Sequence, residues 1–207
     1  MADKENNVKK DIKIILLGET GVGKTNLINV FFGLKFEDQI DSTLASYCNE
    51  GKFNYNNESY NYAIWDTAGQ EKFRAISKLF IRDAQIILIV YDITNRESFE
   101  HLNSWLIEIE KNGNKNVYKL LIGNKADLED QRNIKKEEGQ DFAYVNGMEF
   151  FETSAKTDYQ VQDAFIQLTK DIIRTVSKDK NFEKKEKNIK LGPGNSNDLS
   201  LKKKKCC

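Results

Sequence analysis

Residues 18–25 read Gly-Glu-Thr-Gly-Val-Gly-Lys-Thr and follow directly on the apolar run 12–17. This spacing suits one kind of chemistry, the holding of phosphate. The glycines let the backbone N–H groups of Gly18, Glu19, Thr20, Gly21, Val22 and Gly23 turn inward around phosphate oxygens, and the helix that follows offers its positive end. Lys24 reaches the terminal phosphates as a point charge, and the Thr25 hydroxyl is a ligand for Mg²⁺. Leu27, Ile28, Phe31 and Phe32 continue at helical spacing, so the strand, loop and helix that the motif requires are all present. A chance Gly-rich turn has no need of that flanking pattern. The loop implies a nucleoside triphosphate without saying which.

The base is addressed by Asn124-Lys125-Ala126-Asp127, which follows the apolar run 120–122 and so lies at the C-terminal mouth of a second buried strand. A carboxylate there accepts hydrogen bonds from guanine N1–H and the 2-amino group, whereas adenine lacks the amino donor and leaves Asp127 unmatched. Standing alone, Asn, Lys and Asp are ordinary turn residues; their strand-end position after the phosphate loop carries the reading. Between the two segments, Trp65-Asp66-Thr67-Ala68-Gly69-Gln70-Glu71 closes another strand. There Asp66 is placed to hold a Mg²⁺ shell through water, the Gly69 N–H to meet a γ-phosphate and Gln70 to orient an attacking water.

With these motifs in this order, the chain resembles the Ras superfamily of small GTPases, and more closely its Rab branch, over residues 9–175 and at the C-terminus. The resemblance implies a catalytic set of Gln70, Lys24 and Thr43, with GTP and GDP as ligands and Mg²⁺ as cofactor. Thr43 would place its hydroxyl on the metal and its N–H on the γ-phosphate. Phe36 would stack edge-on against guanine, beside Asn124, Lys125 and Asp127. Ser154-Ala155-Lys156 would back the base, with the Ala155 N–H near guanine O6. Residues 62–73, 88–94 and, in part, 80–84 look like Rab segments. The family likeness implies an effector-facing surface of Leu44, Tyr47, Cys48, Trp65, Phe73 and Phe80. It also implies an exchange factor, an activating protein supplying an arginine, a GDP-dissociation inhibitor and a prenylation escort, the chain itself being a monomer. Two positions depart from the pattern. Residues 44–48 read Leu-Ala-Ser-Tyr-Cys where Rabs place a Gly and end on Phe, and Thr20 stands where Ras-type relatives often have Gly. Thr20 keeps a second class of function open, a nucleotide-bound scaffold that barely turns over. A small-molecule kinase is more distant, because lid-type arginine clusters are missing.

Composition sets the frame for these residues. A chain of 207 residues supports one substantial core and is short for two ordinary domains with a tail. No segment approaches the roughly 20 apolar residues of a membrane span, and residues 1–7 carry no apolar signal-peptide segment, so a cytosolic chain is expected. Three cysteines do not make a disulfide framework, and a single histidine, His101, excludes His-based triads. His101 is expected on a helix surface. Asn57-Glu58-Ser59 matches a glycosylation acceptor but reads better as turn polarity in a cytosolic chain. Formal net charge is zero, yet ten lysines against four acids in residues 177–207 leave an acidic body and a basic tail. An acidic body argues against nucleic acid as a partner, and a basic tail favours an anionic membrane.

The elements that must hold the motifs alternate. Strand signals fall at residues 9–17, 47–55, 60–65, 85–91, 118–122 and 149–152, most followed by helical patterns. The second and third strands are close enough for a hairpin. The expected fold is α/β: a P-loop NTPase G domain with a six-stranded mixed sheet, one strand antiparallel, and helices on both faces. Asn95 precedes the stripe Phe99, Leu102, Trp105, Leu106 and Ile109, with Trp105 read as core packing. Domains are expected as a flexible 1–8, a GTPase domain 9–176 and a disordered basic tail 177–207, whose Lys, Asn and Gly content buries too little apolar surface to offset ordering entropy. The tail ends Lys-Lys-Lys-Lys-Cys206-Cys207, resembling the doubly geranylgeranylated ending of Rab proteins. Residues 199–201, Leu-Ser-Leu, also resemble the aliphatic motif that engages the escort. The expected location is the cytosolic face of an endomembrane compartment, bound to its lipids and cycling through the cytosol.

Overall fold

The computed structural model describes residues 11–40, 47–55, 58–67, 74–176 and 203–204. The elements run β1 (Asp11–Leu17), α1 (Lys24–Phe31), β2 (Tyr47–Tyr55), β3 (Glu58–Asp66), α2 (Arg74–Ile81), β4 (Ile86–Asp92), α3 (Arg96–Glu100), α4 (Leu102–Asn112), β5 (Tyr118–Asn124), a 3₁₀ turn (Glu129–Gln131), α5 (Lys136–Val145), β6 (Glu149–Thr153) and α6 (Val161–Val176). A last strand, β7, is Lys203–Lys204. The sheet order is β6-β5-β4-β1-β3-β2-β7. Strands β6, β5, β4, β1 and β3 are parallel neighbours, and β2 is antiparallel to β3. The expected mixed sheet of six strands is therefore present. A two-residue strand adds to its edge: Lys203 and Lys204 pair antiparallel with Asn49 and Cys48. The physical reason is that β2 is an edge strand, whose outward N–H and C=O groups any extended segment can pair with.

The apolar runs bury both faces of the sheet. Ile12, Ile14 and Leu16 of β1 and Ile86, Leu88 and Val90 of β4 meet Leu27 and Ile28 of α1 and Val161, Phe165 and Leu168 of α6. The alternate residues Ile15, Leu17, Ile87, Ile89 and Tyr91 meet Ile81, Leu102, Trp105, Leu106 and Ile109 on the other face. A strand covered on both sides has no polar alternation, which is why β4 is buried at every position. Phe31 and Phe165 stack at 3.8 Å and lock α1 to α6. Trp105 is core, as its place in the helical stripe predicts.

The stripe from Phe99 to Ile109 reads as one helix but forms two, α3 and α4, broken at His101. The Asn95 side chain caps α3 by accepting from Ser98 N–H at 3.3 Å. At the break the His101 carbonyl accepts from Ser104 N–H and, at 2.7 Å, from the Ser104 hydroxyl, which tightens the turn to three-residue spacing. Strand order reverses at β1, flanked by β3 and β4. In open α/β sheets a ligand crevice lies outside the strand ends at such a switch point. The loop after β1 stands there.

Candidate functional site

The phosphate-loop residues take the backbone that their types allow. Gly18, Gly21 and Gly23 have φ of 145°, 80° and 95°, a region closed to most side chains. A Cβ on Gly18 would collide with the Val90 carbonyl and one on Gly23 with the Asn124 amide, so the loop touches β4 on one side and the end of β5 on the other. Asn124 Nδ2 donates to the Val22 carbonyl at 2.8 Å, tying the two motifs across 102 residues. Lys24 opens α1 and is 6 % exposed. Its Nζ donates to the Gly18 and Glu19 carbonyls, both at 2.8 Å. Burial lowers its pKa from 10.5 to about 8, against the opposing pull of Asp66 and Glu19. A desolvated ammonium at the mouth of a loop rich in N–H groups is a strong phosphate ligand. Thr25 Oγ1 donates to Asp66 Oδ2 at 2.6 Å, with Asp66 buried at the end of β3.

The second half of the site is assembled from β5 and β6. Ser154 Oγ donates to Asp127 Oδ1 at 2.6 Å and accepts from Thr157 N–H at 3.1 Å, fixing the carboxylate. Asn124 Oδ1 accepts from Thr153 Oγ1 at 3.2 Å and Ala155 N–H at 3.4 Å. Lys125 takes a left-handed φ of 69° and pairs through Nζ with Asp92 Oδ2 at 2.7 Å. Asp92 in turn accepts from the Thr94 N–H and hydroxyl. Asn124, Asp127 and Lys125 are thus each fixed by a polar set of their own, Asn124 by Thr153 and Ala155, Asp127 by Ser154, and Lys125 by Asp92.

Both halves face one cavity of about 410 Å³. Of the expected residues, Thr20, Gly21, Gly23, Lys24, Thr25, Phe36, Asn124, Lys125, Asp127, Ala155 and Lys156 line it. Gly18, Glu19, Val22, Asp66 and Ser154 stand behind that lining, bonded to it as described. Phe36 is partly buried against the core that holds α1 and α6. Lys156 Nζ lies 3.9 Å from Asp38 Oδ1, spanning the mouth from the β6 side to the segment after α1. Thr25 and Asp66 bring two hard oxygen donors together beside the phosphate loop, a set that fits Mg²⁺, which takes few protein ligands and completes its shell with water and phosphate oxygens. Thr43, Leu44, Gly69, Gln70, Phe73, Cys206 and Cys207 lie outside the described residues.

Of the expected effector-facing residues, Trp65 and Phe80 are neighbours with ring centroids 4.9 Å apart. Lys13 Nζ lies 5.9 Å from the Trp65 ring and 5.5 Å from the Phe80 ring. Its pKa is lowered by burial. Cys48 sits opposite Trp65 in the β2–β3 ladder and is buried, whereas Tyr47 is 44 % exposed. Among the described residues no helix is long and apolar enough to cross a membrane.

Sequence reasoning missed several members of the site. Asn26, Asp38, Ile40, Thr67 and Leu128 also line the cavity, and Asp92 and Thr153 bond to Lys125 and Asn124. Asp92 had a readable signal, since it ends an apolar strand on the same side of the sheet as Asn124. Asp38 had none, because its neighbour Lys156 is 118 positions away.

A family model described as the Ras family matches residues 13–174. A relative, the Ras-related protein Rab-2B of Dictyostelium discoideum, is 45 % identical over 162 residues, covering 78 % of this chain and 80 % of the relative.

Proposed function

This chain belongs to the Ras superfamily of small GTPases, in its Rab branch, and hydrolyses GTP; from that premise we propose that its cavity is the seat of a GTP/GDP switch acting in vesicle trafficking. The observation that carries the proposal is the convergence on one cavity of Lys24 and Thr25 with Asn124, Lys125 and Asp127.

In this reading the N–H groups of residues 18–23 cradle the phosphates, and Lys24 leaves the Gly18 and Glu19 carbonyls for the β- and γ-phosphates. Asp127, held by Ser154, reads the guanine edge, Phe36 meets the base edge-on, and Lys156 and the Ala155 N–H back it. Mg²⁺, held by Thr25 and Thr43 and by Asp66 through water, would neutralise charge on the phosphates. Gln70 orients the attacking water, and the Gly69 N–H senses the γ-phosphate. Catalysis is then positioning and charge stabilisation, with an arginine added by an activating protein.

Residues 9–176 form the GTPase domain. Residues 177–207 tether it to the cytosolic face of an endomembrane compartment through lipids on Cys206 and Cys207 and the lysines before them. Exchange factor, effectors, GDP-dissociation inhibitor and prenylation escort complete the cycle, with Trp65, Phe80 and Tyr47 on the effector side together with Leu44, Cys48 and Phe73. Equilibrium binding tests the site. GDP and GTP should bind roughly four orders of magnitude or more tighter than ADP and ATP, the discrimination typical of hydrogen-bond-reading sites, and equal affinity for the two bases would overturn the guanine assignment.

A further inference from the structure

The chain's single histidine does not stand free on a helix surface. His101 occupies the break between α3 and α4, and its Nδ1 lies 3.3 Å from Glu19 Oε1 in the phosphate loop. The two side chains are 40 % and 19 % exposed. Nδ1 itself is shut from water and makes no hydrogen bond, so the contact lacks the alignment that a shared proton would give it. Glu19 also reaches Lys24, whose Nζ donates to the Glu19 carbonyl and whose ammonium is partly held by the Glu19 charge. One residue therefore links the helix break, through its side chain, to the phosphate-binding lysine, through its backbone carbonyl.

We propose that His101 is a positioning residue for nucleotide retention that acts through Glu19: when Nδ1 carries a proton, the His101–Glu19 pair pins residues 18–20 to the α3–α4 break and slows nucleotide release. The imidazolium attracts the Glu19 carboxylate, which restrains the loop around the phosphates. A neutral imidazole does not.

The other charged groups around the pair, among the described residues, are engaged elsewhere. On α3, Arg96 pairs with Glu138 at 2.7 Å and with Glu100 at 3.9 Å, while the charge of Glu97 is common to every variant below. Asp92 of β4 is taken by Lys125, Asp66 of β3 by Thr25 and Lys78 of α2 by Glu108. Ordinary carboxylates and lysines keep their charge between about pH 6 and about pH 7.5. Lys24 is common to every variant below.

The test uses the full chain loaded with a fluorescent GDP analogue in the presence of Mg²⁺ and chased with excess GDP. Release from the wild type should be about threefold slower at about pH 6 than at about pH 7.5, the scale of a half-exposed ion pair. His101→Gln should lose that slope, and His101→Lys, with a fixed charge, should release slowly at both values. Melting of the loaded variants checks that each is folded. A wild-type slope in His101→Gln, or rapid release at both values in His101→Lys, overturns the proposal. The inference rests on residues 18–25 being the phosphate loop. If Lys24→Ala holds the analogue as tightly as the wild type, that reading fails, whereas loss of binding in Lys24→Ala with an unchanged slope in His101→Gln removes only the role of His101.

Discussion

Thr25 Oγ1 and Asp66 Oδ2 are 2.6 Å apart, a hydrogen bond that joins the first turn of α1 to the end of β3 across 41 residues. Two chain segments that the sequence keeps far apart thus deliver adjacent oxygens to one corner of the cavity. Carboxylate and hydroxyl beside a phosphate loop make a hard-cation corner, which gives a direct metal-removal test. Chelating Mg²⁺ should accelerate GDP release from the wild type, and Thr25→Ala should cut that acceleration by about tenfold, on the scale of one lost charge-assisted contact. An unchanged chelator response in Thr25→Ala would remove Thr25 from the metal's ligands.

Lys24 supplies a pH dependence whose sign follows from its environment. Burial holds it at about 8 against 10.5 for an ordinary lysine. Between those values the unfolded chain keeps the proton that the folded, nucleotide-free chain has lost, so stability of that form rises with pH across the window. Phosphate needs the protonated lysine. Nucleotide affinity should therefore fall above about pH 8, and each binding event should take up a proton there. Calorimetry at about pH 9 in buffers of different ionisation heat measures the uptake. Equal heats in the two buffers would show that Lys24 does not titrate on binding.

The tail makes a separate prediction. Two lipid chains hold a protein stably, while lysines add about 1 kcal/mol each near an anionic leaflet and are screened by salt. Deleting Cys206 and Cys207 should leave GDP binding intact and release the chain to the soluble fraction. Replacing the lysines at 202–205 should weaken attachment more mildly. If the cysteine-deleted chain still pellets with membranes in high salt, the anchor lies elsewhere in the chain.

Much of this site could be read before any coordinates because its chemistry is contiguous. Residues 18–25 and 124–127 each carry strand, loop and functional group in one short window, and the apolar runs before them mark buried parallel strands. Gly18 and Gly23 were readable as loop glycines, but the reason for them, contact with Val90 and Asn124, is tertiary. The break at His101 was hidden because the stripe from Phe99 to Ile109 keeps its period through it. Cys48 shows the same limit. Its type marks a departure from the Rab pattern, yet only strand register puts it opposite Trp65 and out of solvent. Long-range polar pairs such as Asp38 with Lys156 leave no local trace, since neither partner's neighbours depend on the other.

The account is tested most directly by single-turnover hydrolysis of γ-labelled GTP by the purified chain, set beside ATP and beside Gln70→Leu. The wild type should release labelled phosphate from GTP and not from ATP. Gln70→Leu should slow release without weakening GDP binding, because it removes the group proposed to orient water and no proposed phosphate contact. Thr20→Gly should change the rate, since Thr20 lines the cavity beside the phosphate loop. Phosphate released equally from ATP, or at the wild-type rate by Gln70→Leu, would contradict the account.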